Sequence, residues 1–336
     1  MNNDRIQEIL DLMEEARLDY FLISDPQSIA YCTGYYNDPH ERMFVFMISK
    51  HGNHTLFMND LFYLEHDLDV NIVWHKDGQD AIQTIVDEMH FPGRIGIDKN
   101  WASHFLLDLM KKLPDAKYIN ASPCVDLVRM KKDLQEQVLM IESSKINDAV
   151  MEEIIPFIQE GVTEKQLAKK LDELFFNHHS TCYGAIVAFG KNAAYPHHEN
   201  DDTPLRKGDC VLIDMGCVYK GYCSDMTRTF FYEGILEEEI KVYEIVKKAN
   251  EAAEAMIKPG VKLSDIDKCA RKVISDEGYG KYFTHRLGHF IGRDVHEYGD
   301  VSSVNEMEVE EGMIFSIEPG VYLPGKFGVR IEDLVL

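Results

Sequence analysis

The chain has 336 residues, long enough for two domains of ordinary size, and its 45% hydrophobic content can fill a substantial core. Against 35 basic residues stand 58 acidic ones, a formal charge of −23. That field repels phosphate backbones and anionic membrane surfaces, so neither nucleic acid nor a membrane is an expected partner. Most of the excess serves solubility, and the remainder is available to hold cations.

Met1 runs directly into the polar Asn2-Asn3-Asp4-Arg5, without the basic start and apolar core of a signal peptide. No apolar run approaches the roughly 20 residues needed to span a bilayer. The seven cysteines (Cys32, Cys124, Cys182, Cys210, Cys217, Cys223 and Cys269) are odd in number and include no CxxC pair, so they read as reduced, mostly buried small hydrophobes. The expectation is a soluble, cytoplasmic protein.

In chain order, Asn3 or Asp4 can cap a first helix whose Ile6, Ile9, Leu10 and Met13 follow the helical period. Tyr20-Phe21-Leu22-Ile23 reads as a buried strand. Residues 43–48 and 55–58 flank a turn-rich stretch and predict a hairpin. Strand and helix patterns then alternate through Arg94-Ile95-Gly96-Ile97-Asp98 to about residue 120, which makes residues 1–122 an α/β domain. Ala121-Ser122-Pro123 marks the boundary, because a proline disfavours helix at the residue before it.

The second domain, residues 123–336, opens with a helix predicted over about 132–159 and ended by Gly161. Thr163-Glu164-Lys165-Gln166 is close to a capping box and predicts a second helix to about Asn177. Strands over 185–189, 211–215 and 222–232 precede helices over about 236–257 and 263–277, and strand-like runs return near the end. There is no low-complexity segment and no repeat of fixed short period. The overall class is α/β (α+β).

The chemistry lies in this second domain. Val211-Leu212-Ile213-Asp214 closes an apolar run with an acid, where an unpaired charge would cost several kcal/mol. Eleven residues on, Asp225 stands in another strand-like run, Gly221-Tyr222-Cys223-Ser224-Asp225-Met226. A hairpin would bring the two carboxylates together, and adjacent buried carboxylates repel unless a cation or proton intervenes. Taken singly, either acid is as readily a partner for Arg228. Arg286-Leu287-Gly288-His289-Phe290-Ile291-Gly292 flanks a histidine with glycines that allow close backbone approach. Ser316-Ile317-Glu318-Pro319-Gly320 and Gly328-Val329-Arg330-Ile331-Glu332-Asp333 each end an apolar strand with an acid. Four strand-embedded acids and one such histidine in one domain are hard to account for as separate ion pairs.

In order and spacing these five segments resemble the pita-bread metallopeptidases: methionine aminopeptidases, aminopeptidase P and the prolidases. The resemblance covers about residues 125–336, and the preceding α/β domain fits the two-domain branch. The run from Arg286 through His296-Glu297, with Gly320-Val321-Tyr322 and residues 328–333, looks most like bacterial prolidases. The resemblance implies that Asp214 chelates one metal ion, that Asp225 and Glu332 bridge two, and that His289 and Glu318 complete the second. Oxygen-rich ligands with one imidazole favour Mn²⁺, with Co²⁺ or Zn²⁺ as alternatives. A shared water made acidic by both ions is then the nucleophile, a metal-bridging hydroxide, with Glu318 as general base. His197 and His296 match the family's histidines outside the metal shell, with His198 as the neighbour that could take the first role, and Arg330 would orient a bridging group or a substrate carboxylate.

The expected activity is hydrolysis of the Xaa-Pro bond of dipeptides in a homodimer. Aminopeptidase P, acting on longer peptides, is the nearest alternative, creatinase-type amidinohydrolysis is disfavoured by the complete ligand set, and a non-catalytic peptide- or protein-binding module is the alternative of another class. Two departures from the pattern stand out: Phe290 follows His289 where many relatives have glycine, and the chain stops four residues beyond Glu332 where their last strand continues. Arg293 lies where an apolar residue is common, and the polar loop Asp38, His40, Glu41 and Arg42 is read as a lid over the site that pairs with Arg293. His296-Glu297 lacks the second histidine of a zincin helix, and neither a dinucleotide fingerprint nor a phosphate loop is present.

Overall fold

Asn2 is extended, and its side chain accepts the N–H of Arg5, which starts α1 (Asn3–Glu15) one residue ahead of the expected caps; Ile6, Ile9 and Met13 form its buried face. The computed structural model describes residues 1–90 and 92–336, and the chain divides into two units, Met1–Arg129 and Met130–Leu336. Among the described residues no helix is long and apolar enough to cross a membrane.

The first unit is built on a six-stranded mixed sheet. Its strands are β1 (Tyr20–Ile23), β2 (Val45–Ser49), β3 (Thr55–Asn59), β4 (Asn71–His75), β5 (Arg94–Ile97) and β6 (Lys117–Asn120), ordered β4-β3-β2-β1-β5-β6. The hairpin read from the sequence is present, with Val45 opposite Phe57. Strand alternation divides β1 between two cores. Phe21 and Ile23 face Ile6, Ile9 and Met13 together with Ile29 of α2 (Pro26–Thr33). Tyr20 and Leu22 face Ile82 and Ile85 of α3 (Ala81–Glu88) and Leu109 of α4 (Ser103–Lys112). Burial on both faces explains the uninterrupted apolar run.

Pro123 does not keep Ser122 out of a helix. It is the second residue of α5 (Ser122–Met130), in the first turn, where a proline's missing N–H is tolerated. Val125 and Val128 of α5 join the core of the first unit, so that unit runs on to Arg129 and not to residue 122.

In the second unit, Asp133 and Glu136 form a capping box that starts α6 (Leu134–Ile154). The helix ends short of the expected residue 159 because Pro156 tightens the chain into a 3₁₀ turn, Ile155–Phe157. α7 (Glu164–Asn177) begins with the capping box of Thr163 and Gln166. A short pair of ladders, β7 (Thr181–Cys182), β10 (Cys217–Tyr219) and β11 (Tyr222–Cys223), stands apart from the sheet formed by β8 (Ile186–Phe189), β9 (Cys210–Met215) and β12 (Met226–Phe231). The single strand expected over 222–232 is therefore broken at Ser224-Asp225. Tyr183 Oη donates to Ser224 O at 2.7 Å, and Cys217 N donates to Ser224 Oγ at 3.2 Å. Gly216 fits beneath this kink because a Cβ there would lie 1.9 Å from Tyr183 Oη. After α8 (Glu237–Glu254) and α9 (Leu263–Asp276) come three short pairs. They are β13 (Gly288–His289) with β14 (Asp300–Val301), β15 (Phe315–Ile317) with β18 (Asp333–Val335), and β16 (Gly320–Leu323) with β17 (Phe327–Arg330).

Residues just before α6 tie this framework together. Lys132 Nζ, 1% exposed, donates to Glu297 Oε2 at 2.9 Å, and Glu297 Oε1 accepts the N–H of Arg293. Removing one member of a buried pair leaves the other charge unanswered. Lys132→Met should therefore lower unfolding stability by about 3–5 kcal/mol, and adding Glu297→Gln should restore most of it. Chemical denaturation of the two variants tests this; equal stability of single and double variants would show that the pair is not the anchor.

Candidate metal centre

Separate elements deliver the five candidate ligands. Asp214, next to last in β9, lies opposite Ile186 on one side and Thr227 on the other. Asp225 immediately precedes β12, His289 ends β13, Glu318 follows β15, and Glu332 stands between β17 and β18 with a backbone bridge to Thr227. The close approach at β13 needs glycine: a Cβ on Gly288 would lie 1.8 Å from Ser316 O. His289 Nε2 is 3.6 Å from Asp225 Oδ2, 3.5 Å from Glu318 Oε1 and 3.9 Å from Glu332 Oε1. Donors about 2.0–2.2 Å from a common ion stand roughly 3–4 Å apart, so the spacing is that of ligands around a cation. Asp214 lines the same cavity.

Four of the five donors are held from behind. His289 Nδ1 donates to Phe290 O at 3.2 Å, which leaves Nε2 as the free lone pair. Ser316 Oγ accepts His289 N and donates to Glu318 Oε1 at 3.2 Å. Thr227 Oγ1 donates to Glu332 Oε2 at 2.7 Å and accepts Arg330 Nε at 3.0 Å. Arg330 also donates to Asp214 Oδ2 and, at 2.9 Å, to Tyr322 Oη. Glu332 Oε1 is buried and, among the described residues, makes no hydrogen bond. A buried carboxylate oxygen without a donor is costly, and a cation would answer it. Four carboxylates and one imidazole suit a divalent ion of hard or borderline character.

The electrostatics point the same way. Burial, then the charges of Asp214 and Glu318, push the Asp225 carboxyl well above its ordinary range. Burial and Asp225 do the same to Glu332. Burial raises Glu318 to about 7 against the pull of Arg330. The His289 imidazole is lowered to about 3, first by burial and then by His296. Burial opposes the charge on Arg330, but Tyr322 and Asp214 hold it firmly protonated.

The cavity wall is completed by Pro196, His197, His285, Arg286 and His296. The ring of His296 lies 4.2 Å from that of His289 at 76°. His198 turns away from the cavity: its Nε2 is 2.7 Å from Glu164 Oε2. Glu164, His198 and Asp201 form a second cluster of potential ligands, but Glu164 also accepts Phe189 N, Asn192 Nδ2 and Asp201 N, so its oxygens are occupied in structure. Arg293 stands beside Tyr222, its guanidinium 5.4 Å from the ring centroid, and is not among the described residues that line the cavity. The loop of Asp38, His40, Glu41 and Arg42 belongs to the first unit, where Arg42 pairs with Asp77 and Glu41 and Asp38 accepts the N–H of His40.

His285 was not legible as a site residue. Its Nε2 meets Tyr322 Oη at 2.8 Å and its Nδ1 meets Arg286 O at 2.7 Å. Because His285 Nδ1 donates to Arg286 O, Nε2 of the neutral ring accepts from Tyr322 Oη, and a hydrogen-bonded chain runs His285–Tyr322–Arg330–Asp214. The available signal was its place four residues before His289, in the same segment.

Comparison with known proteins bears on this geometry. The model for metallopeptidase family M24 matches residues 138–336, and that for the creatinase/prolidase N-terminal domain matches residues 5–131, in keeping with the mixed α/β, two-part fold. A Staphylococcus aureus protein known only as an uncharacterized peptidase is 35% identical, over 99% of this chain and 95% of its own. The crystal structure of a recombinant prolidase from Thermococcus sibiricus superposes with a TM-score of 0.94 at 34% identity, covering 100% of this chain and 94% of that one. A Bacillus anthracis Xaa-Pro dipeptidase gives 0.92 at 28% identity, covering 99% and 94%.

The protonation pattern sets a pH dependence. Glu318, near 7 in the fold against an ordinary 4.5, makes the metal-free fold lose stability as pH rises through that window. Asp225 and Glu332 act in the same sense. His289, at about 3 against 6.5, opposes them, because its contribution is lost as pH falls below 6.5. A cation displaces the carboxyl protons and binds more tightly as pH rises. The increase in melting temperature produced by Mn²⁺ should therefore be larger at about pH 8 than at about pH 5.5. Thermal unfolding measures it, and an increase that is larger at the lower pH would contradict this electrostatic picture.

Proposed function

The chain belongs to metallopeptidase family M24, and from that premise we propose that it is a dinuclear-metal exopeptidase that hydrolyses the Xaa-Pro bond of dipeptides. The observation that carries this reading is the convergence of Asp214, Asp225, His289, Glu318 and Glu332, with one buried Glu332 oxygen left without a hydrogen bond among the described residues. The similarity to a prolidase and to an Xaa-Pro dipeptidase over nearly the whole chain supports the substrate class.

Asp214 would hold one ion, His289 and Glu318 the other, and Asp225 and Glu332 both. When bound, divalent ions supply an acidified water and polarise the scissile carbonyl. Mn²⁺ is the proposed native metal, on the oxygen-rich donor set. The residues of the chain do the rest. Glu318 takes a proton from the attacking water and returns it to the leaving nitrogen. That nitrogen belongs to proline, whose imide carries no N–H and fixes the local backbone, so proton delivery and a shaped cavity are both required. His197 and His296, on the cavity wall, donate to the developing oxyanion. Arg330 does its work inside the site, fixing Asp214 and, through Thr227, Glu332.

The test is the initial rate of Leu-Pro hydrolysis by the Mn²⁺-loaded protein, with Leu-Pro-Pro alongside. Release from the dipeptide alone is expected. Preference for the tripeptide would make the protein an aminopeptidase P, and failure on both with metal bound would favour a binding module. His296→Ala should lower kcat by about 10²–10³ with KM little changed, as for the loss of one oxyanion donor. A rise in KM at constant kcat would remove His296 from that role.

A further inference from the structure

Two arginines are among the described residues lining the cavity, and their situations are opposite. Arg330 is 3% exposed and tied to Asp214, Tyr322 and Thr227. Arg286 is exposed, and among the described residues its guanidinium makes no hydrogen bond or ion pair. Its backbone, in contrast, is anchored. Arg271 donates to Phe283 O at 3.1 Å and to His285 O at 2.8 Å, and grips the buried carboxylate of Asp267 with two hydrogen bonds of 2.9 Å. The same carboxylate accepts Leu287 N, and His285 Nδ1 donates to Arg286 O. A permanent cation thus stands on a fixed root at the mouth of the site, close enough for its charge to act on His289, His296 and Glu318.

A dipeptide has its terminal carboxylate one residue beyond the scissile bond, and that anion needs a partner on the wall. Arg330 is already engaged, which leaves Arg286 as the permanently charged group on the wall, among the described residues, that is open to a ligand. Resting on the dipeptidase reading, we infer that Arg286 binds the C-terminal carboxylate of the substrate and so selects dipeptides over longer or C-terminally blocked peptides. The guanidinium matches a carboxylate with two parallel N–H donors, whereas an amide at that position leaves the cation unanswered.

The experiment compares kcat/KM for Leu-Pro and Leu-Pro-amide in the Mn²⁺-loaded wild type, Arg286→Gln and Arg286→Lys, together with inhibition constants for proline and prolinamide as a binding readout. The wild type should prefer the free acid by about 10- to 100-fold, the range of a charge-assisted hydrogen-bonded pair. Arg286→Gln should abolish that preference through KM and weaken proline inhibition by a similar factor, and Arg286→Lys should retain part of both. A wild type that cleaves acid and amide equally well would overturn the assignment while leaving the peptidase reading intact. Equal losses on both substrates in Arg286→Gln would overturn it as well and give Arg286 a role at the reacting carbonyl. If the wild type cleaves neither substrate, the dipeptidase reading itself falls, and this assignment with it.

Discussion

Asp225 and Glu332 are buried carboxylates beside one imidazole, and mutual repulsion between them is the constraint on which the second unit depends. Like charges in a low-dielectric cavity stay ionised only if positive charge and donors are brought to them. Arg330 supplies one such charge from within the fold. Thr227 satisfies one oxygen of Glu332 and leaves the other facing the cavity. The strand register serves this arrangement: the pairing that places Thr227 opposite Asp214 also sets Thr227 against Glu332. A slip of one residue would turn these side chains to the other face.

Around this centre the fold divides the work between fixing and exposing. Asp225, His289 and Glu332 are buried with their supports Thr227, Ser316 and Arg330, and the hydrogen-bonded chain from His285 to Asp214 couples the cavity wall to the ligand cluster. His285 itself is lowered to about 4 by burial, which keeps it neutral as the acceptor of the Tyr322 hydroxyl. The segment bearing His296 is pinned from outside the cavity by Glu297, while His296 is itself exposed. Anchored backbone with an accessible side chain is also the situation of Arg286, and it is the arrangement that lets a site bind a small ligand without reorganising.

How much of this was legible depends on the range of the interactions involved. β1 read correctly because burial on both faces leaves a continuous apolar run. The start of α7 read correctly because its capping box spans only Thr163 to Gln166. The acids were conspicuous because a charge closing an apolar strand is costly without a partner. Misreadings arose where a distant residue decides. The strand over 222–232 is broken by Tyr183, more than thirty positions away, and nothing within the segment announces it. Pro123 has two local meanings, helix start and helix barrier, and the apolar contacts of Val125 and Val128 choose between them. His285 carries no signal of its own in the sequence, because its role depends on Tyr322 and Arg330, which are remote in the chain.

On the proposed reading, the five side chains together hold two divalent ions. Anomalous diffraction at the manganese edge, from crystals of the Mn²⁺-loaded protein, addresses it most directly. Two anomalous peaks per chain are expected, both within coordination distance of Asp225 and Glu332, with Asp214 on one side and His289 and Glu318 on the other. A single peak, or peaks away from these residues, would contradict it.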